Sequence, residues 1–139
     1  MIGEFTIQCE RGEYMTISVL SHFIEYPFGT IKANVAIVAG GFRGTVRGGL
    51  EIDDFLRFYN DFVALQKSLR GEIELDSREG WLKIQVVADG LGHFKFDCTL
   101  MDDPCVGNTL TCRLETDQTF TRRTLEEFDL IVQKISGAG

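Results

Sequence analysis

The sequence predicts an α+β domain: a mostly antiparallel sheet of about eight strands with two helices, in the order ββββαββββα. Three patterns lead there. Many short runs alternate apolar and polar residues, the period of two that a half-buried strand requires. One central run and one C-terminal run instead repeat apolar residues at helical spacing. Glycine-rich turn signals separate the strands, and no composition shift marks a linker, so residues 1–139 read as one domain.

The elements follow in order. Phe5 and Ile7 mark a short first strand, and Met15, Ile17, Val19 and Phe23 a second. Ile31, Ala33, Val35 and Ile37 lead to Gly40-Gly41 and then to a run from Phe42 to Arg47. A Gly-Gly pair between two such runs suits a tight hairpin. Gly44, Gly48 and Gly49 do not open a helix as a phosphate-cradling loop must, and read as turn or bulge positions.

The stretch EIDDFLRFYNDFVALQKSLRG places Ile52, Phe55, Leu56, Tyr59, Phe62, Val63 and Leu69 on a helical stripe. Asp53 or Asp54 is expected to cap its start and Gly71 to stop it. Ile73 and Leu75 then alternate with Glu72, Glu74 and Asp76; Leu82, Ile84 and Val86 alternate with Lys83, Gln85 and Val87. A turn at Ser77-Arg78-Glu79-Gly80 predicts Leu75 opposite Leu82, Ile73 opposite Ile84 and Glu74 opposite Lys83.

From His93 to Phe120 the chain holds Cys98, Cys105 and Cys112, with His93 nearby as a fourth conceivable metal ligand. Folding this stretch as a hairpin about Cys105 gives a plainer account. Lys95 meets Glu115, Asp97 meets Arg113 and Thr99 meets Thr111 on one face; Phe96 meets Leu114, Cys98 meets Cys112 and Leu100 meets Leu110 on the other. One register satisfies both faces, and a slip by one residue ruins both. Cys98 and Cys112 then serve as small apolar core residues, and Cys105 falls in the loop MDDPCVGN, punctuated by Pro104 and Gly107. Zinc motifs usually bring cysteines two to four apart, so no metal is expected. A Cys98–Cys112 disulfide is conceivable but disfavoured in a reducing compartment.

The last helix is read in TLEEFDLIVQKISG, with Leu125, Phe128, Ile131, Val132 and Ile135 apolar, Thr124 and Glu127 as a capping box, and Gly137 at the end. Asp117, Gln118 and Thr119 are assigned to the turn before it. Both helices finish alike, LQKSLRG and VQKISG, which fits a duplication or a coincidence of helix-ending chemistry.

Composition bounds the function. Apolar residues make up 44% and charged residues 25%, as in soluble globular proteins. The 21 acidic and 14 basic residues give a net charge of −7, without the basic patch expected of a nucleic-acid binder. Such a surface favours a basic partner, or merely keeps the protein soluble. The apolar runs are too short to span a bilayer, and the early charges in MIGEFTIQCERGEY exclude a secretory leader, so a cytosolic protein is expected. No nucleophile elbow, Walker loop or His-Glu-x-x-His motif occurs. His22 and His93 fall near strand ends without an evident Ser or Cys partner. Catalysis and cofactors are therefore not expected.

The succession GFRG, DDFLRFYNDFVALQKSLRGEIELDS, GLGHFKFDCTL and LTCRLETDQTF, from Gly41 to Phe120, resembles the WapI-type family of small bacterial immunity proteins. The resemblance implies a non-catalytic, cytoplasmic protein that binds and neutralises a cognate toxin domain, in the WapI case one that attacks tRNA. A toxin that handles RNA needs a basic cleft, and an acidic inhibitor is steered toward it. The contact surface expected from charge is the outward row Glu72, Glu74 and Asp76, with Asp54 and Asp61 on the first helix; the plainer reading is a solvated face. A small ligand-binding or scaffold domain is the alternative.

Overall fold

A computed structural model describes residues 1–25, 28–103 and 106–137. Two four-stranded antiparallel meanders, each followed by a helix, make up the chain. The first comprises β1 (Gly3–Gln8), β2 (Tyr14–Glu25), β3 (Phe28–Ala39), β4 (Phe42–Glu51) and α1 (Ile52–Ser68). The second comprises β5 (Arg70–Asp76), β6 (Leu82–Asp89), β7 (His93–Met101), β8 (Thr109–Asp117) and α2 (Gln118–Ile135). The order ββββαββββα is thus as predicted, and the eight strands divide equally between two sheets, β1-β2-β3-β4 and β5-β6-β7-β8.

The halves are interlocked. α1 follows β4 but packs chiefly on β5, the first strand of the other sheet; α2 packs chiefly on β1. The inner faces of both sheets and the apolar sides of both helices share one core. Phe128 of α2 stacks on Phe5 of β1 with ring centroids 4.1 Å apart, and Phe55 and Tyr59 of α1 flank it at 4.9 and 5.0 Å. Phe62 of α1 reaches Phe94 and Phe96 of β7.

The sheets also grip each other through glycines. Gly48 lies on the inner face of β4, and a Cβ there would overlap the indole of Trp81. The Trp81 Nε1–H donates to the Gly49 carbonyl at 2.8 Å. A Cβ on Gly44 would crowd Leu110 of β8 at 3.1 Å. The register of β3 with β4 is unbroken at Gly44, Gly48 and Gly49. Contrary to expectation these glycines are neither turns nor bulges; Gly44 and Gly48 let side chains of the second half approach the strand.

The β7–β8 hairpin has the predicted register at every position, from Lys95 opposite Glu115 to Leu100 opposite Leu110. The Gly40-Gly41 turn joins Ala39 to Phe42 as predicted, with Gly40 at φ 60°. The β5–β6 register is displaced by two: Leu75 faces Ile84, Ile73 faces Val86, Glu74 faces Gln85, and Lys83 faces Asp76. The cause is Trp81. It is 1% exposed, so the loop must extend to deliver it inward, and the hairpin closes at Ser77 N–H to Leu82 carbonyl, 2.9 Å. Phe23 is 64% exposed rather than inward, because an irregularity between Val19 and Ser21 flips the later part of β2.

The helix ends also differ from expectation. α1 begins after Glu51, with Asp53 and Asp54 inside the first turn, where they favour the positive end of the helix dipole. It stops at Leu69, which adopts φ 59° and donates its N–H to the Leu65 carbonyl; Gly71 lies beyond, in β5. Phe58 and Leu65, which the predicted stripe omitted, are buried. α2 starts two turns earlier than predicted, capped by Asp117, whose carboxylate accepts from the Thr119 and Phe120 amides. Thr124 is therefore interior: its hydroxyl donates to the Thr6 carbonyl at 2.7 Å, and Glu127 accepts from the Thr6 amide at 3.0 Å. Gly137 follows the end of α2 with φ 71°.

Candidate partner-binding surface

Alternation fixes which side chains leave the core of the second sheet. Glu72, Glu74 and Asp76 all project outward from β5 and are exposed. β5 is an edge strand. α1 runs beside it, and Asp61 on its exposed side meets Glu72, Ile73, Glu74 and Gln85 around a groove of about 370 Å³. The groove continues past Ala64, Ser68, Arg70 and Gly71 as a second hollow of about 380 Å³. The fold thus brings Asp61, Glu72 and Glu74 together. Glu74 accepts from the Gln85 amide at 3.0 Å. Asp76 continues the same outward row but faces Lys83. Asp54 lies apart, in the first turn of α1, paired with Arg57 at 3.2 Å.

A different cleft, of about 520 Å³, opens where the β6–β7 turn meets the β8–α2 junction. Glu10, Asp89, His93, Lys95, Glu115 and Asp117 line it. Lys95 opposite Glu115, His93 at a strand end and Asp117 before the last helix were singled out in the sequence; Glu10 was not, and it arrives from a single 3-10 turn, Glu10–Gly12, far away in the chain. His93 Nδ1 lies 2.8 Å from Asp89 Oδ2. Side-chain exposures of 69% and 42% leave this pair in solvent, so it contributes little. The Leu91 amide first, and then His93, hold the Asp89 carboxylate down, from an ordinary 3.8 to about 2. Asp102, in the β7–β8 loop, is also lowered, by the Asn108 side chain and amide. Both shifts favour the charged form, the reverse of what a general acid needs at neutral pH.

The Asp89 shift gives a signed prediction. A carboxylate depressed by folding stabilises the native state at pH values above its ordinary 3.8, and that contribution disappears as pH falls from there to about 2. Asp89→Asn should therefore flatten the acid side of the urea-midpoint profile between these values and change it little at pH 7 beyond a constant offset. An unchanged slope across that window would contradict the assignment.

The sulfur atoms behave as filler. Cys98 faces Cys112 across the β7–β8 ladder. Cys9, Cys98 and Cys112 are free, the first two buried. Burial pushes the Cys9 thiol up to about 12 and raises the thiols of Cys98 and Cys112 as well, which suppresses thiolate chemistry. Cys105 and Pro104 lie outside the described residues. His93 stands at the start of β7, five residues from Cys98 in an extended strand, and is engaged with Asp89.

The profile of the family described as Immunity protein WapI-like matches residues 5–136. The chain belongs to the WapI-like immunity protein family. The match reaches past the resemblance in the sequence at both ends, taking in most of β1, all of β2 and β3, and the whole of α2. No curated protein matches this WapI-like chain. Among solved structures, one described as Trypanosoma bruciei MRP1/MRP2 aligns over 96% of this chain and 86% of its own, with a TM-score of 0.55 at 12% identity. At that identity the likeness is one of fold. Among the described residues no helix of the WapI-like chain is long and apolar enough to cross a membrane, and no group of three or more His, Cys, Asp or Glu side chains is arranged to hold a metal ion.

Proposed function

We propose that this chain is a cytoplasmic bacterial immunity protein that neutralises a cognate, basic toxin domain by binding it, the toxin being one that cleaves RNA. The family match over residues 5–136 carries the reading. The net charge of −7 supports it: a domain that grips RNA must present cations to phosphates, and an acidic protein is drawn to that surface at long range. A stoichiometric inhibitor of this kind covers on the order of 800 Å² on each partner. The convergence of Asp61, Glu72 and Glu74 at one groove gives the charge a location.

The test is genetic and then biochemical. Expression of the toxin domain encoded beside this gene should arrest growth, and co-expression of this chain should restore it. Purified, the two should titrate to a one-to-one complex in which the nuclease is silent. Survival of arrest in the presence of this chain, with no complex formed, would defeat the reading. Changing Asp61, Glu72 and Glu74 together to lysine should weaken the complex by about tenfold or more at low ionic strength, with a smaller deficit at high salt. Equal affinity of the triple variant at low salt would remove the groove from the interface.

The cleft lined by Glu10, Asp89, His93 and Glu115 favours the second reading, a small ligand-binding or scaffold domain. Its polar groups converge, and a cationic metabolite that shifts the thermal midpoint of the wild-type chain but not of a Glu10→Gln, Glu115→Gln variant would support that reading.

A further inference from the structure

The main-chain hydrogen bonds of β5 show which of its residues leave their peptide groups unused. Ser77 N–H bonds the Leu82 carbonyl, and Gly90 N–H bonds the Leu69 carbonyl. Both pairs obey the β5–β6 register. In an antiparallel ladder bonded pairs recur at every second residue. Gly71, Ile73 and Leu75 therefore spend their peptide groups on β6, and those of Arg70, Glu72, Glu74 and Asp76 point away from it. Arg70 is satisfied locally: its amide donates to Ser68 Oγ at 3.3 Å, and that hydroxyl donates to its carbonyl at 3.0 Å. For Glu72, Glu74 and Asp76 there is no such partner among the described residues.

The corresponding strand of the first half is closed at its centre. On β1 the outward peptide groups belong to Glu4, Thr6 and Gln8 by the same reasoning, since Cys9 N–H bonds the Glu13 carbonyl. Thr6 is closed on both sides by Glu127 and Thr124 of α2, and the Gln8 carbonyl accepts from Thr116 of β8 at 2.7 Å. Beyond Ser68 on Arg70, α1 supplies no such side chains to β5 among the described residues. Two other edges differ in charge. Along β4 the outward row is Arg43, Thr45 and Arg47, and along β8 it is Thr111, Arg113 and Glu115, with Arg113 held by Asp97 at 2.9 Å. Only on β5 do open peptide groups and a uniform negative charge fall on the same three residues.

The geometry points to β5 as a strand-addition site for an extended, basic segment of the partner protein, pairing antiparallel with Glu72–Asp76. Main-chain bonds supply the affinity of such an addition and alternate side chains its selectivity. Opposite Glu72, Glu74 and Asp76 the incoming residues are Lys or Arg; between them they turn toward Ile73, Ala64 and Leu65 and are apolar. This deepens the toxin-binding reading and rests on it only for the partner's identity.

The probe is a fluorophore-labelled peptide, acetyl-Lys-Val-Lys-Val-Lys-amide, titrated into the intact chain at low ionic strength. Its lysine amides face β5 and its valine amides face solvent. N-methylation of the lysine nitrogens should weaken binding by about tenfold or more, and N-methylation of the valine nitrogens should not. Equal effects of the two would reduce the contact to charge attraction and overturn strand addition. Glu74→Pro should block the edge without breaking the ladder, because proline removes an N–H the sheet does not use; Glu74→Gln should lose only the charge and weaken binding less. The peptide comparison needs no variant, so it decides even where Glu74→Pro fails to fold. Concentration-dependent self-association, abolished by Arg43→Glu with Arg47→Glu as well as by Glu74→Pro, would assign the edge to a second copy of this chain and overturn the partner-segment proposal. Failure of growth rescue with retained, amide-dependent peptide binding would sink the immunity reading and leave the strand-addition site standing.

Discussion

Trp81→Ala should destabilise the protein by about 3–5 kcal/mol, the range for truncating a large buried aromatic. The residue is 1% exposed and is the largest fully buried side chain of the fold. Its ring fills the space that Gly48 leaves on β4, and its Nε1–H satisfies the Gly49 carbonyl. Alanine opens a cavity between the two sheets and strands that carbonyl. The neighbours cannot collapse into the gap without bending β4, whose register with β3 is regular. Domains of this size hold roughly 5–15 kcal/mol in all, so the loss is a large fraction of the total. Urea unfolding followed by circular dichroism would measure it. The reciprocal change, Gly48→Val, should cost a similar amount by forcing the indole out; a loss under 1 kcal/mol for both would show that the sheets are not clamped there.

Phe128→Ala should cost about 3–5 kcal/mol for a different reason. Phe128 is fully buried and lies within 6.2 Å of four other rings, those of Phe5, Phe55, Phe58 and Tyr59. It is the point where α1, α2 and β1 meet. Beside it Tyr59 donates to Asp129 at 2.7 Å; burial, together with that carboxylate, moves the phenol up to about 12, so it stays neutral in any ordinary buffer. Phe128→Leu should recover about half of the loss, since it restores apolar volume without the ring stacking. The thermal midpoint of the alanine variant should fall by roughly 10 °C, at about 2–4 °C for each kcal/mol. A drop of only a degree or two would mean that α2 is held by its polar contacts rather than by this ring.

Much of the fold could be read from the chain because alternation is a local property. The β7–β8 hairpin was the clearest case: its outward pairs and its inward pairs each demand the same register, so two independent constraints agree. The β5–β6 hairpin offered only one strong outward match, Glu74 with Lys83, and the observed ladder replaces it with Asp76 opposite Lys83. The deciding influence there is Trp81 docking on another sheet, which no pattern within the hairpin reveals. The start of α2 was hidden for a related reason. Thr121 and Thr124 look like surface residues, yet both are buried, with hydroxyls on Gln66 and on the Thr6 carbonyl. Their partners lie more than fifty residues away. The acidic row on β5 was legible from alternation and charge; its convergence with Asp61 depends on the crossing of α1, and the open state of the edge depends on hydrogen-bond parity, which takes a register to define.

The exchange of helices between the halves bears on how the chain is made. Phe5 of β1 emerges from the ribosome well before the ring it stacks on, which belongs to α2. The first meander can pair its own strands during synthesis, while the far side of β1 stays bare until α2 is released. Completion of the native structure is thus tied to the synthesis of α2, and a chain lacking it would leave the outward peptide groups of Thr6 unpaired and the rings of Phe5 and Phe55 wet.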